Sequence, residues 1–491
     1  MHRTYRSKGR AYERLRQPNL PRGCLPSRLR YIPCILCFAM LGQIEFVSER
    51  SHTTAHRPKD TIVWSTDLHA GPIGCQIEMF ASIGVPTFAE IDFPNCHFFH
   101  DAHGRNLCVD PDSGGLRFDD WRGFSLDPNA KERSMFLSHF YQSNENFKRT
   151  NTILCSHPAA NCEIYLPFRE KSIIIYNTQR IEFGRDDRYV WWRKPYYAND
   201  SKLRWQIWVS HLKDISDSKR NLVAANNMYD KMSMEYLTGV RTRYIPSWCG
   251  SEDCNPLQKS KYKPVRQEVV LVPYRTNLVY SRAAIPEDGW PNVKEPSHND
   301  PLEHAIFEEL RALQADSQSV FNLISVPRAF PPTGKFQSVC DFLNFKAVIF
   351  IPYVPSTMFF FQIYRANVPI LAPTQQLLAT WIREHRILWE TTYGFPERLS
   401  TKFHSQLPHP SRFDAESRIE WFSFYDIYNT ESFPFISYFN NWTEAAQIVK
   451  RINFAEVSFQ MMRHNSKEFK RIRKIWLDVF RSLAHARSLP V

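Results

Sequence analysis

A chain of 491 residues has room for two or three domains of ordinary size. Hydrophobic content of 43% with 14% aromatics excludes an intrinsically disordered protein. The net charge of +12 suits anionic partners, yet much of it sits in residues 1–30, so the rest is too mildly basic to argue for nucleic-acid binding.

In that basic start, Arg3, Arg6, Lys8, Arg10, Arg14, Arg16, Arg22, Arg28 and Arg30 face only Glu13. Tyr31 to Gly42 is then apolar and uncharged, and extension through Ile44, Phe46 and Val47 gives about 17 residues, near the lower limit for a membrane span. Positive charge ahead of this run and little just after it predict an N-in signal anchor at 31–47 behind a cytoplasmic tail at 1–30. A cleaved signal peptide and a later start are the competing readings. Residues 48–60 are polar and read as a stem.

Thr61 to Ser65 is strand-like, 66–72 is the loop after it, and a helix at Cys75–Ile83 ends at Gly84 in the position of a left-handed cap. Val85 to Ala89 reads as the next strand. The first strand-to-helix loop of an open sheet points into the ligand crevice, which makes Asp67 and His69 candidate catalytic residues. A neutral imidazole can take the proton of an attacking hydroxyl. The competing reading is that both side chains only hydrogen-bond the turn. Residues 95–103 are dense in histidine, but the spacing matches no metal-binding pattern and no metal site is assigned.

Thr152 to Cys155 and Ser172 to Tyr176 are further strands, the second with polar residues from Asn177 onward facing the crevice. Residues 189–208 carry Trp191, Trp192, Trp205 and Trp208, which suit either a sugar-stacking platform or a core. Leu222 to Ala225 is a strand; Asn226 or Asn227 caps a helix from Met228 to Leu237, Gly239 ends it, and Tyr244-Ile245-Pro246 follows. Residues 250–265 form a polar, Lys-rich linker.

Glu268 to Val272 opens a second sheet, with Arg275 at its carboxyl end placed to make a forked contact to a diphosphate. Asp300 to Glu303 has the form of a capping box, and Val320 to Ile324 is a strand. Lys346 to Ile351 is a buried-strand pattern closed by Pro352 and Pro355. Ser356 or Thr357 caps a helix that Asn367-Val368-Pro369 stops, and Val368 to Leu371 is the next strand. This is a βαβ unit, whose phosphorylated ligands bind at strand ends and helix N-termini. Thr443 is the expected cap of a helix to Ile452, and Ser466 precedes an amphipathic helix bearing Phe469, Ile472, Ile475, Trp476 and Val479.

There are 11 cysteines, several in close pairs: Cys96/Cys108, Cys155/Cys162 and Cys249/Cys254. In an oxidising compartment these read as small-loop disulfides, with Cys249–Cys254 the expected bond; in the cytosol they read as free thiols. Asn199-Asp200-Ser201 and Asn441-Trp442-Thr443 are glycosylation sequons.

The unit at 341–373, with Ser356-Thr357, Gln362 and Asn367-Val368-Pro369-Ile370-Leu371-Ala372-Pro373, resembles the donor-binding core of GT-B type nucleotide-sugar glycosyltransferases. The run NLVAANNMYDKMSMEYLTGVRTRYIPSWCG resembles the element closing their acceptor domain. The likeness covers about 61–482 in element order and has no single diagnostic motif.

The resemblance implies an α/β fold of two Rossmann-like domains, 61–249 on the acceptor side and 266–440 on the donor side, with C-terminal helices at 441–482 packing across both. It implies transfer of a sugar from a UDP- or GDP-linked donor to a hydroxyl of a glycan or glycoprotein, inverting, without a metal or other cofactor; the expected anchor and the sequons place it in the Golgi or endoplasmic reticulum membrane with its catalytic domains luminal. His69 or Asp67 would be the base, Arg275, Ser356 and Thr357 would hold the diphosphate, and Gln362 the ribose. The family more often has Glu at that last position, so ribose binding here lacks the charge. Asp110-Pro111-Asp112 has the form of a metal-binding DxD motif but no buried strand before it. The rival reading is a non-catalytic glycan-binding or scaffold protein that keeps the fold.

Overall fold

The computed structural model describes residues 60–67, 70–91, 141–156, 159–178, 201–249, 262–272, 302, 305–315, 322–330, 338–352, 355, 357–385, 407 and 415–489. All of them belong to one compact unit, Ala55–Val491. The expected anchor at 31–47, and most of the aromatic run at 189–208, lie outside the described residues. No helix among the described residues is long and apolar enough to cross a membrane.

The fold is α/β, built on two all-parallel sheets. The first holds β1 (Val63–Asp67), β2 (Thr87–Ile91), β3 (Thr152–Cys155), β4 (Ser172–Asn177), β5 (Leu222–Ala225) and β6 (Arg243–Tyr244), in the order β2-β1-β3-β4-β5-β6. The second holds β7 (Val269–Val272), β8 (Leu323–Ser325), β9 (Ala347–Phe350), β10 (Ile370–Pro373) and β11 (Ser437–Phe439), in the order β11-β10-β9-β7-β8. Both are doubly wound: the chain moves outward on one side, then returns to continue on the other, creating a switch point between β1 and β3 and another between β7 and β9. Central strands β3, β4, β7, β9 and β10 are buried at every position, as expected where helices cover both faces.

Local signals explain most element ends. Helix α1 (Ala70–Ser82) is followed by Gly84 at φ 75, a conformation that a side chain would strain. A short helix α2 (Glu145–Arg149) is capped by Asn144. Helix α3 (Ser201–Asp217) places Trp205 and Trp208 in the core, so these two do not form a sugar platform. Helix α4 (Met228–Thr238) is capped by Asn227, with Gly239 in the left-handed region at its end. In the second half come α5 (Glu308–Ala315), α6 (Val326–Ala329), α7 (Met358–Arg365), α8 (Gln375–His385) and α9 (Ala415–Phe422). Asn367, at φ 64, turns the chain from α7 into β10, and the strand starts at Ile370, two residues later than expected.

The C-terminal helices differ from expectation. Asn441, not Thr443, caps α10 (Trp442–Arg451), because its side chain accepts the Glu444 N–H at 2.8 Å while the Thr443 hydroxyl donates to Glu309. The last helix, α11 (Phe454–Ser488), is a single element of 35 residues capped by Asn453. Ser466 lies inside it, its hydroxyl donating to the Met462 carbonyl instead of starting a new helix.

Helix α11 packs first on the second sheet's layer and then on the first. Near its start Ser458 donates to the Asn367 carbonyl at 2.7 Å. The fully buried Asn465 amide donates to the Tyr364 carbonyl and to Asn367 Oδ1, and its oxygen accepts from Arg365 at 2.6 Å. Farther on, Trp476 meets Phe80 and Tyr176 edge-on, and Arg487 donates to Thr152 and Ser172. Arg365 is fully buried, and aromatic faces from Trp248, Tyr364 and Phe433 surround its guanidinium.

Two disulfides join described cysteines. Cys155–Cys162 closes a short loop, as the spacing suggested. Cys249, however, bonds Cys75 across a sequence separation of 174 and not Cys254, which lies outside the described residues. The reason is tertiary: the segment after β6 returns beside α1, bringing the two Cα atoms to 4.5 Å.

Non-reducing peptide mapping is therefore expected to join the peptides of Cys75 and Cys249; a Cys249–Cys254 peptide would contradict the fold of this half. Replacing Asn465 by Leu removes the one hydrogen bond of the Arg365 guanidinium among the described residues. It should lower unfolding free energy by about 3 kcal/mol, read from the denaturant midpoint. A third expectation concerns His211, whose pKa is raised chiefly by its hydrogen bond to Glu163. The stabilisation from this pair is fully present below the ordinary imidazole pKa and is lost as pH rises through the folded-state value. Glu163→Gln should lower the His211 pKa, followed by its NMR titration.

Candidate functional site

In each sheet the carboxyl ends of the strands mark the edge where doubly wound folds form a ligand crevice, and the two edges touch at one contact that can be built residue by residue. Strand β4 ends in Asn177, with Thr178 next; β5 ends at Ala225, with Asn226 and Asn227 next. The Asn226 N–H donates to the Asn177 carbonyl at 2.9 Å, so the two strand ends are locked side by side. The Asn226 amide donates to Ser247 Oγ at 3.1 Å and lies 3.6 Å from the Met358 sulfur. Met358 is the first residue of α7, so the first sheet's crevice edge faces the N-terminus of a helix of the second.

This polar edge is closely ordered. Asn227 donates to Asn226 Oδ1 and to Asp230 Oδ2, and accepts the Asp230 N–H at 2.7 Å, combining a helix cap with support for Asn226. The Tyr176 phenol donates to the Ile245 carbonyl at 2.7 Å and lies 3.3 Å from Ser247 Oγ. Burial pushes its pKa far up, so it stays a neutral hydroxyl.

Asn177 and Thr178 stand out within this arrangement. Both are buried, yet neither the amide nitrogen nor the amide oxygen of Asn177, nor the Thr178 hydroxyl, has a hydrogen-bond partner. A buried polar group left unmet costs about 1–3 kcal/mol, so these three atoms mark the carboxyl end of β4 as an energetically unfavourable spot in the first sheet.

At the β1/β3 switch point the organiser is Gln76 on α1. Ser65 donates to its oxygen at 3.2 Å, and its nitrogen donates to Ser156 Oγ at 2.6 Å. Ser156 N–H in turn donates to the Thr66 carbonyl. Asp67 is the last residue of β1, at the edge of this switch point. His69 lies outside the described residues.

In the second sheet, β9 leads through Ile351 and Pro352 to Thr357, which caps α7: Oγ1 accepts the Phe360 N–H at 3.1 Å. The next N–H groups of the first turn have no intrahelical acceptor and carry the positive end of the helix dipole. Thr357 is buried, and its helix begins at the β7/β9 switch point. Gln362 lies on the same helix, about 7 Å farther along its axis, half-buried and without a side-chain hydrogen bond among the described residues. Arg275 and Ser356, also expected here, lie outside the described residues. The structure thus brings Thr357 and Met358 opposite Asn226, a residue that sequence reasoning had considered only as a cap. Gln76 was missed altogether, although a glutamine in the apolar run Cys75 to Phe80 was a signal. Among the described residues no cluster of three metal-ligating side chains occurs.

No protein-family model matches the chain, and no curated protein matches it. Among solved structures, a glycosyltransferase from Rickettsia africae matches 86% of this chain and 98% of its own at 10% identity and TM-score 0.40. A UDP-glucosyltransferase from Polygonum tinctorium capable of glucosylating indoxyl, solved in complex with 3,4-dichloroaniline, matches 87% of this chain and 99% of its own at 8% identity and TM-score 0.35. The glycotransferase of kitacinnamycin matches 87% and 97% at 9% identity and TM-score 0.32. Likeness at this level does not bear on activity.

Proposed function

We propose that the protein is a glycosyltransferase of GT-B architecture, moving a sugar from a nucleotide-sugar donor to a hydroxyl of a glycan or glycoprotein. One observation carries the reading: Asn226, just past the carboxyl end of a strand of the first doubly wound sheet, meets the N-terminus of α7, which follows a strand of the second. Doubly wound sheets bind ligands at that edge, and a helix N-terminus favours phosphate. Two such edges facing each other suit two substrates that must react together.

In this reading Arg275, Ser356 and the Thr357 cap hold the donor diphosphate, and Gln362 meets the ribose. The unmet amide of Asn177 and hydroxyl of Thr178 receive sugar hydroxyls, since an amide offers donor and acceptor together. His69, or Asp67 at the end of β1, takes the proton from the acceptor hydroxyl as its oxygen attacks the anomeric carbon. The bond to the diphosphate breaks on the opposite face, inverting the centre. The departing charge passes to the helix N-terminus and Arg275, which do the work a divalent cation would otherwise do. The disulfides Cys75–Cys249 and Cys155–Cys162 favour an oxidising compartment, in keeping with an anchored enzyme facing the Golgi or endoplasmic reticulum lumen. The rival, a glycan-binding relic without catalysis, draws on Gln362 standing where an acidic residue is usual.

Binding and rate should separate between the two halves. Arg275→Ala is expected to weaken nucleoside-diphosphate binding by about 2–5 kcal/mol, measured by calorimetry. His69→Ala should leave that binding intact and lower turnover, because a base acts in the transition state. Asn177→Ala should raise the acceptor KM with little change in donor affinity. Wild-type protein that binds neither UDP nor GDP, and hydrolyses none of a panel of their sugars, would remove the enzyme reading.

A further inference from the structure

The outward face of α11 carries a basic ridge with no role in the crevice. Arg463, Lys467, Lys470 and Lys474 recur at i, i+4, i+7 and i+11, so at 100° per residue they fall within about 60° of one another. They run in line for about 16 Å. All four are exposed, and among the described residues none has a carboxylate or hydrogen-bond partner. The ridge is diametrically opposite the buried residues Met461, Asn465, Ile472 and Trp476. Between Arg463 and Lys474 no acid lies on this face: Glu468 points off it and is held by Arg471, while Glu456, which accepts from Gln460, and Asp478, paired with Arg481, lie past its two ends.

One turn before Arg463, on the same face, stands Phe459, which is 43% exposed. A phenyl ring left 43% exposed at the end of a row of cations keeps much of its apolar face uncovered in the isolated molecule. A positive ridge with an exposed aromatic at its end matches a lipid surface, where cations meet anionic headgroups and the ring enters the interface. A duplex nucleic acid or other linear polyanion would engage the cations alone and leave the ring without a partner.

We propose that the outer face of α11, from Phe459 to Lys474, docks on a bilayer containing anionic lipid. The contact lays the helix that spans both sheets against the membrane, independently of any anchor at the N-terminus and of the reaction in the crevice.

The basic N-terminal tail also attracts anionic vesicles, so the test must read the ridge locally in the full-length chain. Lysine acetylation rates, followed by mass spectrometry, are compared with vesicles of phosphatidylcholine alone and with vesicles containing phosphatidylserine at about a third of the lipid. Lys467, Lys470 and Lys474 should be protected several-fold by the anionic vesicles only, while the exposed Lys148 and Lys213 on α2 and α3 keep their rates. Phe459→Ala and Arg463→Gln, both surface changes that leave the core intact, should each reduce that protection. Unchanged rates at the three lysines, equal protection at Lys148 and Lys213, or protection by heparin but not by vesicles would each overturn the proposal.

Discussion

The structure depends on a small buried polar cluster at the point where α11 crosses from one sheet layer to the other. Asn465 answers three groups at once: the Tyr364 carbonyl, the Asn367 side chain and the Arg365 guanidinium. Each is buried, and each would carry a desolvation penalty if left unmet. The penalty makes the register of the helix specific, since sliding it by one residue strands all three. Apolar packing of Trp476, Phe480 and Leu483 on Phe80 and Tyr176 supplies the bulk of the attraction farther along, but that surface is less selective about register.

The same cluster connects to the crevice through α7. That helix starts at the Thr357 cap, opposite Asn226, and ends at Arg365 in the Asn465 cluster. Its C-terminal end is therefore held by α11, eight residues behind the cap. A helix end that is to present N–H groups to an anion benefits from such fixing, because preorganised dipoles need no reorganisation when charge arrives. The opposite wall is held likewise, with Asn227 supporting Asn226 and Gln76 tying β1 to β3. Beside them, the side chains of Asn177 and Thr178 are buried without hydrogen-bond partners.

Electrostatics around this crossing follow burial more than charge pairing. Desolvation lowers the pKa of Arg365, and the cation persists because aromatic faces and the Asn465 amide replace water. His464 is held below the usual imidazole range chiefly by burial, although its ring donates to the Ser432 carbonyl. Tyr244, whose hydroxyl lies 3.1 Å from Ser432 Oγ, is likewise kept protonated by desolvation. Buried, hydrogen-bonded groups at this boundary, the Arg365 cation included, are screened little by salt, in contrast to the exposed charges of the outer α11 face.

Short-range physics made much of the architecture legible in the chain alone. Runs such as Ser172 to Tyr176 and Ala347 to Phe350 are apolar at consecutive positions because both faces of a parallel strand are covered. Thr357, Asn227, Gly84 and Gly239 act through their own backbone neighbours, so their roles as caps and stops could be read locally. Tertiary structure decided what depends on groups far apart in sequence. Cys249 bonds Cys75 and not its near neighbour, Ser466 disappears into a longer helix, and Trp205 and Trp208 face the core. Asn177 and Asn226 become parts of one crevice wall only when their strands pair, and Met358 comes opposite them only when the sheets meet. Periodicity records whether a residue is covered, but not which distant residue covers it; that is settled by packing, and the candidate site is made of such pairings.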